Sequence, residues 1–139
     1  MAGEIIVPAL LDFIEGKLQA QKQDEKFASL TKILVKEDGM IDWSKSAEEI
    51  ERLIRAMNPW PIAFTHLGDK KLQIVKAGEI TEINKFKIGE VFLFDKNKIA
   101  VQCGANSLIL EKIKLEGKNE INAYSFSLGN KSFIGSILE

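Results

Sequence analysis

The side chains able to do acid–base, nucleophilic or metal chemistry are few. The 139-residue chain has one histidine, His66, and one cysteine, Cys103. A histidine base needs a nucleophile or an orienting acid placed with it, and no pattern around His66 supplies one. Cys103 stands beside Gly104 in KIAVQCG, where the expected role of a thiol is that of a small buried hydrophobe. A single cysteine excludes an internal disulfide, and one cysteine with one histidine is too few for a Cys/His zinc site. The acidic cluster KEDGMID, with Glu37, Asp38 and Asp42, lacks the oxygen spacing of a calcium loop and reads as a solvated turn. Neither common glycine-rich phosphate loop occurs. No catalytic residue and no metal site are expected.

What is left is charge. The net charge is −1, which excludes a uniformly basic nucleic-acid binder. The halves differ, however. Residues 1–69 carry 8 basic and 12 acidic side chains; residues 70–139 carry 11 and 8, and all 11 of those bases are lysines. A basic surface on the second half is compatible with this balance. A solvated barrel face and diffuse phosphate contact are both open readings of those lysines.

The elements that would position them can be read in order. Residues 5–20 read as a helix, with Val7, Leu10, Leu11, Ile14 and Leu18 on one face and Pro8 in the first turn. QAQKQDEKFAS is polar and aperiodic, hence a linker. LTKILVKEDG reads as a short extended segment closing in a turn at Asp38-Gly39. A second helix opens on the Ser46/Glu49 capping box. Its apolar stripe is Ala47, Ile50, Leu53, Ile54 and Met57, with Glu48–Arg52 and Glu51–Arg55 pairs on the wet side. Pro59 stops it.

NPWP, residues 58–61, then turns the chain into a run of strands. Two prolines should hold an extended path, and Trp60 is expected to bury its ring against the helix stripe. The strand candidates are IAFTHL, KLQIVKA, EVFLFD, KIAVQC and SLILEKIKLEG, separated by turn residues that include Gly68-Asp69, Gly78 and Gly89. Ile109, Ile113 and Leu115 are expected on one face, Lys112 and Lys114 on the other. VFLF is expected to be covered on both sides, and INAYSFSLG to form a last helix ending at Gly129. Short strands without intervening helices predict a mainly β, α+β domain: an OB-like antiparallel Greek-key β-barrel preceded by an N-terminal helix and linker. No apolar run approaches the ~20 residues of a membrane span, and MAGEIIVPALLDF lacks the basic start of a signal peptide.

KEDGMIDW followed by SAEEIERLIRAMNPWPIAFT resembles the C-terminal domain of methionyl-tRNA formyltransferases. The acidic turn with Trp43, the helix and the NPWP corner stand in that family's order and spacing. KIAVQCG is similar to a late strand of the family, and LEGKNEINAYSFSLG to its closing pattern. QDEKFAS is similar to its interdomain linker, and IIVPALLDFIEGKL to the last helix of its catalytic domain. The resemblance implies a division into residues 1–20, the terminal helix of the catalytic domain; 21–35, the linker; and 36–139, the barrel domain. It marks Asp42, Trp43, Asn58, Pro59, Trp60 and Pro61 as structural.

It also implies a function. The complete enzyme moves a formyl group from 10-formyltetrahydrofolate to the methionine of initiator tRNA, in the cytoplasm, with its catalytic residues and folate pocket in a domain ahead of this one. The present residues would need no cofactor. They would hold the tRNA weakly, through its backbone, in the range of ~10⁻⁴ to 10⁻⁶ M. The candidate contacts are Lys70, Lys71, Lys76, Lys112, Lys114 and Lys118, with Lys32 and Lys36 in the linker region. Expected partners are initiator tRNA and the catalytic domain in cis, with no membrane and with a homodimer through the N-terminal helix open. The alternatives are a scaffold barrel in another formyltransferase, or a free-standing interaction module without RNA.

Overall fold

Glycine sets the end of the first helix. The computed structural model describes residues 2–139, in two units, one ending at Ile33 and one running from Leu34 to Glu139. In the first unit, helix α1 spans Ala2–Ile14, not 5–20. Gly16, at φ +75°, takes the left-handed position that closes a helix, and the Lys17 and Leu18 N–H groups turn back to the Asp12 carbonyl at 2.8 and 3.0 Å. Pro8 lies inside α1 rather than in its first turn, so one intrahelical hydrogen bond is missing there. Val7, Leu10, Leu11, Ile14 and, beyond the helix, Leu18 are all at least half exposed. Residues 19–33 hold no strand, and one 3-10 turn, Glu25–Phe27, is capped by Asp24.

The second unit begins with Val35 extended but in no strand, and the expected turn at Asp38-Gly39 is present as a 3-10 turn, Lys36–Gly39, in which the Asp38 carboxylate accepts from the Val35 N–H at 2.9 Å. Helix α2 spans Ala47–Ala56. Ser46 Oγ accepts from the Glu49 N–H at 3.3 Å and Glu49 accepts from the Ser46 N–H at 3.2 Å, the reciprocal cap foreseen. Ala47, Ile50, Ile54 and Met57 are buried, and Leu53 packs on the same core. Burying one such isoleucine stabilises by ~1.5–3 kcal/mol. The exposed Glu51–Arg55 pair, 3.3 Å apart, adds only ~0.2–0.5, so packing holds the helix. Glu48 and Arg52 meet at i,i+4 through the backbone rather than as a side-chain ion pair. Arg52 Nε donates to the Glu48 carbonyl at 3.0 Å, and the Glu48 carboxylate accepts from Asn106 Nδ2 at 3.0 Å.

The corner after α2 corrects the largest structural expectation. Residues 58–61 form turns rather than an extended path, both X–Pro bonds are cis, and Ile62 follows at φ +67°. Trp60 is 54% exposed, while Pro61 is buried beside Gly39. The buried indole is Trp43, 4% exposed, whose Nε1–H donates to Thr65 Oγ1 at 2.9 Å. A buried tryptophan needs a partner for its N–H, and Thr65 on the next strand supplies one. Asn58 ties the helix end to the sheet by donating to the Val75 carbonyl at 3.3 Å. Trp43→Phe is therefore expected to cost about 1–2 kcal/mol through the lost buried hydrogen bond, and Trp60→Ala less than about 0.5 kcal/mol. Urea denaturation followed by circular dichroism distinguishes the two.

The strands are β1 (Phe64–Leu67), β2 (Lys70–Thr81), β3 (Val91–Asp95), β4 (Lys98–Gln102), β5 (Ser107–Leu115) and β6 (Ile121–Asn122). All named pairings are antiparallel, in the order β1-β2-β5-β4-β3, with β6 on β5. The last residues join the two outer strands. Val91 and Gly135–Ser136 exchange hydrogen bonds at 2.9 and 2.7 Å, the Leu138 N–H reaches the Gly89 carbonyl at 2.9 Å, and His66 and Glu139 exchange a pair at 2.6 and 3.2 Å. Helix α3 (Ala123–Gly129) ends where expected and is capped by Asn122, which accepts from the N–H groups of Tyr124 and Ser125.

Three expectations about the sheet fail. β2 continues through Gly78 instead of breaking there, and its register against β5 shifts between Ile74 and Lys76 and again between Lys76 and Ala77. A bulge reverses which side chains face inward. Ile113 thus lies in the main core with Leu110, while Ile109 lies in a second cluster with Phe92 and Ala100, under Ile83 and Phe86. VFLF is covered only in its first half: Val91 and Phe92 are buried, Leu93 and Phe94 exposed.

Candidate nucleic-acid interface

Strand register decides which lysines stand together. In β1 and β2, Phe64 pairs with Gln73 and His66 with Lys71; across β5, Gln73 pairs with Lys114 and Lys76 with Lys112. Paired residues share a face, and the alternate positions Thr65, Leu72, Ile74 and Ile113 are the fully buried ones. Phe64, His66, Lys71, Gln73, Lys76, Lys112 and Lys114 therefore occupy the outer face of β1-β2-β5. Lys76 belongs there because of the bulge. Strict alternation would have put it inside with Leu72 and Ile74.

The remaining candidates stand at the rim or elsewhere. Lys70 lies at the β1–β2 turn and Lys118 in the β5–β6 turn, at one end of the sheet, since the Glu116 N–H donates to the Lys71 carbonyl at 2.9 Å. Lys36 opens the 3-10 turn that leads to Met40, which bridges to Phe64 at the β1 edge. Lys32 belongs to the first unit.

The four lysines on the face differ in their neighbours. Lys76 Nζ lies 2.6 Å from Glu111 and Lys112 Nζ 2.7 Å from Glu120. The Glu120 contact raises the ammonium pKa of Lys112, through its hydrogen bond first and its charge second. Lys71 Nζ sits 3.5 Å from the centre of the Phe64 ring. Lys114 has no ion-pair partner among the described residues. Such a surface can hold an anionic backbone, but two of its four charges are already engaged.

Among the described residues, no three His, Cys, Asp or Glu side chains converge as a metal set. Cys103 is buried, and desolvation pushes its thiol to about 12, so it is a neutral thiol at physiological pH. Asp42 accepts from the Ser44 hydroxyl at 2.6 Å and from its N–H at 3.0 Å, and these bonds hold its carboxyl below the usual range. It shapes the turn that presents Trp43. Sequence reasoning missed Phe64 and Gln73 as members of the face. Their alternation with Thr65, Leu72 and Ile74 in AFTHL and KLQIV was the available signal.

The model of the family described as formyl transferase, C-terminal domain, matches residues 33–131. The chain belongs to this family. Methionyl-tRNA formyltransferase of Clostridium novyi is 36% identical over 137 residues, covering 99% of this chain and 44% of the relative. The enzyme of the same name from Geotalea uraniireducens is 40% identical over 123 residues, covering 88% and 39%. The chain thus spans less than half the length of these curated relatives. Among solved structures, HypX from Aquifex aeolicus is similar with a TM-score of 0.62 and 16% identity, over 94% of this chain and 23% of that one. At that identity the likeness is one of fold. The formyl transferase C-terminal domain model starts at Ile33, next to the division between the two units, so the matched region is essentially the β unit carrying the basic face. Among the described residues no helix is long and apolar enough to cross a membrane.

Proposed function

We propose that this chain is the RNA-holding, non-catalytic part of a methionyl-tRNA formyltransferase. The observation that carries the reading is the convergence of Lys71, Lys76, Lys112 and Lys114 on one exposed sheet face, in a member of the formyl transferase C-terminal family. Lys70 and Lys118 extend that face at one end. Transfer of the formyl group from 10-formyltetrahydrofolate to the initiator methionine belongs, in this reading, to the part of the relatives' length that the chain does not span. The setting is the cytoplasm.

The division of labour follows from physical chemistry. Phosphate contacts fix register and orientation without reading bases. Holding the acceptor end where its amine meets the formyl donor converts binding energy into a lower barrier. Neither His66 nor Cys103 is placed for that chemistry: the His66 ring stands edge-on to Phe64, and the Cys103 thiol is buried and protonated.

The test is electrophoretic binding of initiator tRNA to the chain and to Lys112→Ala/Lys114→Ala at two salt concentrations. The variant is expected to bind about five- to tenfold more weakly, with a salt slope shallower by about one, since Lys114 is unpaired and Lys112 is partly neutralised. Equal and salt-insensitive behaviour of both proteins would overturn the reading and leave the domain as a scaffold between other parts of the enzyme.

A further inference from the structure

One aromatic ring lies within the basic face, and its surroundings are unlike those of a core residue. Phe64 is only partly buried, on the outer side of β1. The Lys71 ammonium caps the ring 3.5 Å from its centre. The His66 ring meets it edge-on, 5.9 Å away at 87°. The backbone beneath is fixed: the Phe64 carbonyl accepts from the Ile41 N–H at 2.8 Å, and the His66 main chain is bonded to Glu139. Lys71 is pinned at its main chain, where its carbonyl accepts from Glu116, while its side chain spans only the short path to the ring.

We propose that Phe64 is a stacking platform for one unpaired nucleobase, uncovered when an RNA phosphate draws the Lys71 ammonium off its ring. The inference rests on the reading of this face as an RNA contact. The exchange is favourable in sign. An exposed cation–π contact is weaker than the stacking of one base on an aromatic side chain. The displaced ammonium also gains a phosphate. Gln73, beside Phe64 in register, provides an amide donor and acceptor next to the stacked base. The lysines thus follow the strand's backbone, and Phe64 selects RNA with a base free to leave its helix over a continuous duplex.

The test compares a 12-nucleotide unstructured RNA strand with a 12-base-pair RNA duplex by fluorescence anisotropy. Phe64→Leu keeps apolar bulk and removes the ring. It is expected to weaken single-strand binding about tenfold while leaving duplex binding and both salt slopes unchanged. Phe64→Trp restores the single-strand affinity. Lys71→Met weakens both probes and lowers both slopes by about one. In the unsubstituted chain, the Phe64 ring protons shift upfield on adding the single strand and not the duplex, a readout that needs no variant to fold. Phe64→Leu affinity within twofold of the parent on the single strand, or an equal loss on both probes, overturns the platform. With salt-dependent duplex binding intact, that outcome leaves the basic face standing. If neither RNA binds the parent chain, the face and the platform fall together.

Discussion

Gly104→Ala is expected to lower the melting temperature by about 15 °C, the largest loss of stability from any single methyl group added to this domain. Gly104 lies where the β4–β5 connection crosses the segment after Trp43. Its N–H is shared between the Trp43 carbonyl at 2.9 Å and the Lys45 carbonyl at 2.8 Å. A Cβ at this position would overlap the Ser44 carbonyl oxygen and lie 2.6 Å from its carbon. Backbone, not a flexible side chain, is in the way, and that backbone cannot retreat. Asp42 and Ser44 are locked in a hydrogen-bonded turn, the Trp43 indole is anchored on Thr65, and the Ala47 N–H donates to the Ala105 carbonyl at 2.9 Å. Overlap and the loss of these bonds together cost about 3–5 kcal/mol. Gly117→Ala is the control. Gly117 has φ +73° with open space around it, so it pays only the left-handed penalty of about 1–2 kcal/mol. Thermal melts by circular dichroism compare the two. A Gly104→Ala chain melting within about 3 °C of the parent would show that the contact yields easily.

The same crossing explains part of what the sequence reveals. Helix α2 was legible in its start and its buried stripe because both are local: Ser46 and Glu49 bond each other, and the buried positions follow a 3.6 period, while its end comes at Ala56, short of the expected stop at Pro59. Strands β1 to β5 were legible in existence and type because alternation is local too, whereas the two-residue β6, Ile121–Asn122, lay in INAYSFSLG and was read as helix. What alternation cannot show is a bulge, which depends on two strands being mismatched in length. Ile109 was therefore assigned to the face of Ile113 by a parity that changes midway along β5, and the outward position of Lys76 on β2 comes from the same register shift. Joining β3 to β1 through residues 135–139 was hidden for a similar reason. FIGSIL has no period of its own, and its hydrogen bonds go to residues far away in sequence.

Trp60 shows the opposite failure. Two flanking prolines suggested a rigid site for burying a ring, but rigidity does not specify direction. The corner turns Pro61 inward and leaves the indole outside. Trp43 takes the interior because a threonine on β1 is buried to meet its N–H, a pairing over 22 residues that neither position announces. The lysines of the second half were legible as a set by composition. Their grouping required the register, and Phe64 emerged only when the same register placed an aromatic ring under Lys71.

The carboxylates on the face carry the second large effect, and its sign is opposite to that of lysine removal. Glu111→Gln/Glu120→Gln is expected to strengthen tRNA binding about thirtyfold at 0.1 M salt, with a log–log salt slope steeper by about 1.4–1.8. Glu111 lies 2.6 Å from Lys76 Nζ and Glu120 2.7 Å from Lys112 Nζ. Each carboxylate neutralises a charge that would otherwise displace a counterion from the RNA, and each also repels the incoming phosphate. Amides keep the shape and remove both penalties. Each released lysine makes one more phosphate contact, worth ~0.7–0.9 of a decade in affinity between 1 M and 0.1 M salt. Both pairs are solvent-exposed and worth at most ~1 kcal/mol to the fold, so the variant's melting temperature is expected to stay close to the parent's. Lys112 stays protonated at neutral pH when its partner becomes an amide, since Glu120 only raised a pKa that was already high. Filter binding with initiator tRNA across a salt series measures both quantities. An unchanged slope would mean that Lys76 and Lys112 do not reach phosphate, and would confine the contact to Lys71, Lys114 and the two lysines at the turns.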